Sequence, residues 1–312
     1  MDQIPLYIRQ RYVELFSTCH NHSVLAAWNP PFWKARISEE DSVKLVGTIS
    51  DEEITSGLWS LKAFKAPGPN GLHLGFFQQF WLLVGASIRD EVKQIFATSK
   101  MPEYLNQTLI TLVPKCNNLE SFNNYRPISL CNTIYKLASK ILVARIRPLL
   151  ADLVSPFQTA FVPGRKGVDN AIIVQEIIHS MSKKKGRGGL MAIKIDLEKA
   201  YERFEWSFIR DTLSLFNFPS QLISLIMSCV STSSISILCN GGALESFLPS
   251  RGIRQGDLIS PYLFILYMEV LGALIIEKCN SKLWNPIKVS QGGLAFSLHF
   301  FANDLVLLVK AD

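Results

Sequence analysis

The end of the chain constrains the fold more than any other segment. Two largely apolar runs, 298–302 and 305–308, flank the polar pair Asn303–Asp304, which predicts a β-hairpin with this pair at its tip. The apolar run 190–195 predicts an earlier strand that ends in Asp196. A strand-end carboxylate beside an acidic hairpin tip is what two-metal phosphoryl or nucleotidyl transfer requires, because two divalent ions ~3.5–4 Å apart need converging anionic oxygens. Position 303, however, carries an amide where that chemistry needs an acid.

Composition places the chain among globular proteins. Its 312 residues suffice for one large domain or two lobes, and a composition of 48% hydrophobic and 19% charged residues is typical of a globular rather than a disordered chain. The net charge of +6 and the pI near 8.9 suit a polyanionic partner without requiring one. The scattered cysteines include no C-x-x-C pair, which favours reduced thiols in an intracellular setting over a disulfide framework or a zinc ribbon.

Targeting and membrane segments are not expected. The first twenty residues carry Asp2, Arg9, Arg11 and Glu14, so they do not resemble a signal peptide. The longest apolar run, 262–276, is too short for a membrane span and contains Glu269, so it predicts a buried core helix.

Hydrophobic periodicity outlines the remaining elements. Residues 1–49 lack clear periodicity, whereas Ser50 begins a helix with a capping box. The other expected helices cover 73–98, 132–150, 168–182, 205–216, 220–230 and the stretch up to about 278, and the other expected strands cover 109–113 and 235–239. On the helix 132–150, four basic residues are expected to face solvent: Lys136, Lys140, Arg145 and Arg147. This order predicts an α+β fold, with an antiparallel sheet backed by helices.

Six segments, taken in order, resemble one family. They are KAPGPNG (65–71), YRPISL (125–130), QTAFVPGR (158–165), IKIDLEKAY (193–201), RQGD-x-x-SPYLF (254–264) and FAND (301–304). Together they resemble the reverse transcriptase of non-LTR (LINE-type) retrotransposons, most like those of plants. The resemblance covers roughly residues 50–309.

The resemblance implies a right-hand polymerase fold. It implies an N-terminal extension (1–49), a fingers region (50–188) and a palm region (189–312) that is truncated after the FAND hairpin, with the thumb and the preceding endonuclease absent. It also implies Mg²⁺ as cofactor, RNA template, DNA primer and deoxynucleoside triphosphates as partners, no membrane, and a nuclear or cytoplasmic location.

Family roles carry over residue by residue. Asp196 and Asp304 match metal-binding catalytic carboxylates, and Asn303 stands where the family has Asp. Tyr201 matches the bulky residue beneath the incoming sugar, where a ring disfavours ribonucleotides. Four further residues match nucleotide contacts: Lys115, Arg126, Gln255 and Gly256. Each assignment has an alternative without a catalytic role. The aspartates could be turn residues, the tyrosine could pack in the core, and the basic residues could simply be solvated.

Basic residues in two loops are candidates for binding nucleic-acid phosphates, since non-specific binding depends largely on such charges. They are Arg165, Lys166, Lys183, Lys184, Lys185 and Arg187. A solvated loop is the alternative for the 183–187 run.

Asn303 leaves the activity of this chain open. Besides an RNA-directed DNA polymerase impaired by Asn303 and by truncation, the sequence allows an inactive remnant that retains nucleic-acid binding, or a fragment without a stable fold. A group II intron maturase or a viral RNA polymerase uses the same kind of paired carboxylates. Neither is expected to combine KAPGPNG, YRPISL and QTAFVPGR.

Overall fold

A computed structural model describes residues 3–18, 35–118, 121–183, 189–288, 295–301 and 304–311. Several residues singled out in the sequence lie outside these ranges: Asp2, Lys184, Lys185, Arg187 and Asn303. The cysteines within the ranges are free thiols: Cys116, Cys131, Cys229, Cys239 and Cys279. In the part of the chain described, no helix is both long and apolar enough to cross a membrane.

The helices follow the predicted order, with two additions at the N-terminus, a short extra helix at Ala200–Arg203 and a division of the expected helix 73–98 into two. They are α1 (Gln3–Leu15), α2 (Glu39–Val46), α3 (Asp51–Trp59), α4 (Leu74–Gln79), α5 (Trp81–Thr98), α6 (Thr133–Ile146), α7 (Leu150–Leu153), α8 (Gly167–Lys183), α9 (Ala200–Arg203), α10 (Trp206–Leu215), α11 (Ser220–Ser231) and α12 (Ser260–Asn280). The sequence pattern therefore does not predict α1 and α2, which lie within residues 1–49.

Within the described ranges, the strands form three sheets. They are β1 (Gln107–Pro114), β2 (Tyr125–Cys131), β3 (Gly189–Asp196), β4 (Ser234–Cys239), β5 (Gly242–Ala243), β6 (Ile287–Lys288), β7 (Ala295–Phe296), β8 (Leu298–Phe301) and β9 (Asp304–Ala311). The sheet orders are β2-β1-β4-β5, β3-β9-β8 and β6-β7. All pairs are antiparallel except β1–β4, which is parallel, so the α+β class is confirmed with one mixed sheet.

Contacts divide the chain into two compact units. The first contains α1 with Ile37–Ile146 and Tyr201–Pro261, and the second contains Arg147–Ala200 and Tyr262–Asp312. In the first unit, a cluster of α3, α5 and α6 side chains includes Ile54, Leu58, Val92, Leu137 and Ile141. In the second, Ile177, Ile287 and Leu308 form a cluster.

Local sequence explains several helix boundaries. Ser50 caps α3 by accepting a hydrogen bond from the Glu53 amide, as the capping box predicts. The expected helix 132–150 instead ends at Ile146, and a 3₁₀ turn follows at Arg147–Leu149. Proline at 148 explains this end, because it disfavours helical geometry at the residue before it.

The expected solvent-facing position of Arg145 is wrong. Its side chain is only 12% exposed and forms an ion pair with Glu53, with 2.7 Å between Nε and Oε1. It also donates to the carbonyls of Leu45 and Gly47, at 3.1 and 2.7 Å. Arg145 therefore joins α6 to α3 and to the end of α2.

Candidate active site

The register of the second unit's sheet brings two aspartates together. Asp196, the last residue of β3, pairs directly with Asp304, the first residue of β9. Asp304 also pairs with Phe301 across the β8–β9 hairpin, so the predicted hairpin is present. Directly opposed residues on antiparallel strands point to the same face with Cβ atoms ~4.5–5.5 Å apart. Both carboxylates thus occupy one end of one sheet face.

A lysine shares this face. Lys194 lies two residues before Asp196, so its side chain points in the same direction. Its Nζ is 3.1 Å from Oδ1 of Asp304, and the two side chains are 68% and 36% exposed. The Asp304 carboxylate is therefore already paired with one cationic group.

Buried contacts fix the hairpin that carries Asp304. The buried Asn170 of α8 donates from Nδ2 to the carbonyls of Phe157 and Phe300, both at 3.0 Å. The Phe300 amide donates to the Phe157 carbonyl at 2.9 Å. Gly272 of α12 leaves room for the Phe300 ring, since a Cβ at this glycine would lie 3.1 Å from it. Sequence reasoning missed Asn170, whose position on α8 carries no motif.

The side chain of Arg165 forms its hydrogen bonds within the protein. Its guanidinium donates to four backbone carbonyls, those of Ala151, Val154, Ser155 and Gln158, at 2.5–3.1 Å. These bonds hold the loop before α8 against the end of α7. Lys166 and Lys183 are exposed, whereas Lys184, Lys185 and Arg187 lie outside the described residues. The role of these residues in nucleic-acid binding stays a prediction.

In the first unit, three of the predicted nucleotide-contact residues lie together. The Ile253 amide donates to the Tyr201 carbonyl at 2.7 Å, which places the RQGD segment beside α9. Gln255 donates from Nε2 to Oε1 of the buried Glu202 at 2.8 Å. Burial raises the pKa of Tyr201 to about 12, so its hydroxyl stays neutral at physiological pH.

The β1–β2 hairpin carries the other two predicted nucleotide-contact residues, Lys115 and Arg126. Arg126 pairs with Val113, and the Lys115 amide donates to the Asn124 carbonyl at 2.8 Å. Both basic side chains are exposed at the same end of this hairpin. Ser129, on the same strand as Arg126, donates its amide to the Gln255 carbonyl at 2.7 Å, so β2 connects the hairpin to the RQGD turn.

A basic cavity of about 520 Å³ adjoins this turn. Its lining includes Gly256 and four lysines, namely Lys62, Lys65, Lys136 and Lys140. Lys136 donates to the Ala66 carbonyl at 3.0 Å, and burial lowers the pKa of its ammonium group. The sequence shows two lysines in a loop and two lysines on a helix. It does not show that the four side chains line one cavity.

Comparison with known proteins assigns the family. Residues 113–312 match the reverse transcriptase (RNA-dependent DNA polymerase) family, which covers more than half of the chain. The chain belongs to this reverse transcriptase family. The matched stretch includes both opposed aspartates and the RQGD turn of the reverse transcriptase domain.

Several relatives of this reverse transcriptase domain come from mobile elements. It is 26% identical over 274 residues to the transposon TX1 uncharacterized 149 kDa protein of Xenopus laevis, covering 88% of this chain and 20% of that protein. It is also 26% identical over 262 residues to the Pol polyprotein of the type-2 retrotransposable element R2DM of Drosophila melanogaster, covering 84% and 23%. An uncharacterized mitochondrial protein of Arabidopsis thaliana is 40% identical over 67 residues, covering 22% and 55%. The chain thus spans about a quarter or less of the two mobile-element proteins.

Reverse transcriptases depend on divalent metal, and the carboxylates present fit such an ion. Asp196 and Asp304 offer hard oxygens from opposed positions on one accessible face, which a small divalent cation prefers. Within the described residues, no group of three or more His, Cys, Asp or Glu side chains is close enough to share a metal. Position 303 lies outside these residues, so two protein carboxylates define the candidate centre.

Proposed function

We propose that this chain is the RNA-directed DNA polymerase domain of a non-LTR, LINE-type retrotransposon of the plant kind. The direct pairing of Asp196 with Asp304 carries the proposal, because nucleotidyl transfer needs two carboxylates at one place. The family match, the mobile-element relatives and the identity with the Arabidopsis protein support it.

Asp196 and Asp304 are the residues proposed to hold Mg²⁺. When bound, the metal lowers the pKa of a primer 3′-hydroxyl and neutralises charge that develops on the triphosphate. The two carboxylates would hold the metal from one end of the β3-β9-β8 sheet. Without the metal, the Lys194 ammonium pairs with Asp304 and balances part of the negative charge of that carboxylate.

The first unit supplies the proposed nucleotide contacts. Lys115 and Arg126, exposed on one hairpin, attract the triphosphate, since basic side chains offset charge on phosphate oxygens. Gly256 leaves its backbone open to a close approach, and Gln255 lies beside it. The ring of Tyr201 excludes a ribose 2′-hydroxyl and so favours deoxynucleotides.

Template and primer phosphates are proposed to contact the cavity lysines together with Lys166 and Lys183. The cavity lysines offer four positive charges within one space, and Lys166 and Lys183 are exposed on the second unit. We propose residues 50–188 as fingers and 189–312 as palm, as the family resemblance implies.

Asn303 is proposed to impair catalysis. At an effective dielectric of ~20, a charge ~4 Å from a unit charge contributes ~4 kcal/mol, and a divalent ion doubles this before screening. Losing even part of that attraction slows the reaction by ~10³-fold or more. An inactive remnant that still binds nucleic acid is therefore the second candidate, and the amide at position 303 favours it.

Primer extension on a primed RNA template separates these candidates. We expect the Asn303→Asp variant to extend the primer with deoxynucleotides and Mg²⁺ ~10³-fold or more faster than the natural chain, which corresponds to recovery of about half of the electrostatic loss. The double variant Asn303→Asp/Asp196→Asn, which changes one carboxyl to an amide, is the matched negative control. Equal rates for the natural chain and Asn303→Asp contradict the impairment, and absence of metal-dependent extension by Asn303→Asp contradicts the polymerase proposal.

A further inference from the structure

Two charged residues that flank the Gln255–Gly256 turn are buried. Arg254 and Asp257 form an ion pair with 3.1 Å between Nη2 and Oδ2, and their side chains are only 5% and 3% exposed. A buried ion pair is stable only when further hydrogen bonds compensate for lost hydration. The partners of each group therefore reveal what the pair does.

Arg254 connects the turn to β1 and α11. Its Nη1 donates to Oδ1 of Asn106 at 2.8 Å and to Oγ1 of Thr108 at 3.0 Å. Its Nη2 donates to the carbonyl of Cys229 at 3.0 Å. The guanidinium carbon also lies 4.2 Å from the ring centroid of Tyr135, within the range of a cation–π contact.

Asp257 connects the turn to α6. Its Oδ2 accepts a hydrogen bond from the Tyr135 hydroxyl at 2.5 Å, and its Oδ1 accepts one from the Ser139 hydroxyl at 3.0 Å. All three side chains are buried, and burial raises the pKa of Tyr135 well above its usual range, so its hydroxyl remains a donor. Neither charge of the ion pair is accessible to a ligand.

The turn between the two charges is pressed against β2. The Gln255 carbonyl accepts from the Ser129 amide at 2.7 Å. Gly256 has φ +94°, and a Cβ there would lie 3.2 Å from the Ser129 carbonyl oxygen. The turn is therefore held at both ends by side chains and in the middle by backbone, while Gly256 itself stays exposed.

We propose that Arg254, Asp257, Tyr135 and Ser139 form a buried clamp that sets the position of the Gln255–Gly256 turn. Tyr135 and Asp257 are then positioning residues for the incoming nucleotide, although neither touches it. The nucleotide part rests on the proposed function, in which Gln255 and Gly256 contact the substrate. The clamp itself rests only on the contacts of the four side chains.

Amide hydrogen exchange tests the clamp without any need for activity. Tyr135→Phe removes only the hydroxyl and keeps the ring beneath Arg254. We expect it to speed exchange at the Ser129 amide roughly tenfold, because local opening exposes that amide, while the Lys115 amide of the same hairpin is unchanged. Tyr104→Phe is the matched control, since it removes another tyrosine-to-carboxylate hydrogen bond in this unit, the 2.5 Å bond to Glu91.

The outcomes are distinct. A selective rise at Ser129, with a smaller rise in Ser139→Ala, supports the clamp. An unchanged Ser129 amide, or an equal rise at Ser129 and Lys115, overturns it, because the hydroxyl would then be irrelevant or would stabilise the fold as a whole.

Steady-state kinetics test the nucleotide part in the Asn303→Asp variant. Adding Tyr135→Phe should raise KM for deoxynucleotides severalfold and change kcat less. If Ser129 exchange rises but KM does not, the positioning role is wrong. If Asn303→Asp itself has no activity, the proposed function is wrong, and the exchange data still decide the clamp.

Discussion

Lys194 Nζ lies 3.1 Å from Oδ1 of Asp304, the residue that faces Asp196 across β3 and β9. The ammonium group therefore competes with any divalent cation for the same carboxylate. Because Lys194 is 68% exposed, water screens this pair and limits its strength.

Removing this competitor should strengthen cation binding. We expect Lys194→Gln to lower the Kd for Mn²⁺ by up to ~5-fold, in line with the modest energy of an exposed ion pair. Lys310→Gln, at the other end of β9, is the control and should have no effect. Isothermal titration calorimetry measures both, and weaker binding in Lys194→Gln would show that the lysine supports the centre rather than competes with it.

Tyr201 should control sugar selectivity. In the Asn303→Asp variant, Tyr201→Val should increase incorporation of ribonucleotides relative to deoxynucleotides by ~10-fold or more, because a 2′-hydroxyl clash is removed. Tyr201→Phe keeps the ring and should keep the selectivity. Competition between the two nucleotide types in primer extension measures the ratio, and an unchanged ratio in Tyr201→Val removes the assignment.

Glu269 should make stability depend on pH. Burial on α12 raises the pKa of Glu269 to about 6, despite a hydrogen bond from Ser155. The folded state thus holds this proton more tightly than the unfolded chain, so stability falls as pH rises from the unfolded pKa through about 6.

The variant Glu269→Gln removes this ionisation and keeps an acceptor for Ser155. We expect it to raise the free energy of unfolding by roughly 2 kcal/mol at pH 7.5 and to give no gain at pH 4. Denaturant unfolding at both pH values measures the difference, with Glu277→Gln on the same helix as control. An equal effect at the two pH values would contradict the role of ionisation.

Local patterns predicted much of the fold. The apolar run before Asp196, the apolar runs around position 303 and the capping box at Ser50 each act within a few residues, and β3, the β8–β9 hairpin and α3 are present. Residues 3–15 gave no such signal. The buried Tyr12 of that helix packs in a cluster with Ile110, Ile235 and Ile237, which are distant in sequence.

Burial of charge was the hardest feature to predict. Helical periodicity places Arg145 at a solvent-facing position. Its side chain is instead bonded to Glu53, which lies 92 residues away in the sequence. Likewise, the RQGD motif gives no sign that Arg254 and Asp257 are buried, because their partners come from β1, α6 and α11. Such contacts form only through tertiary packing, so the local sequence pattern around each charged residue does not show them.

The most direct test of the account asks whether Asp196 and Asp304 hold one cation together. Mn²⁺ binding, followed by electron paramagnetic resonance in the Asn303→Asp variant, can be compared for Asp196→Asn, Asp304→Asn and both changes together. We expect each single change to weaken binding by ~10-fold or more and the double change to add little, since ligands of one ion are strongly coupled. Fully additive losses, or unchanged binding after either single change, would contradict a shared centre.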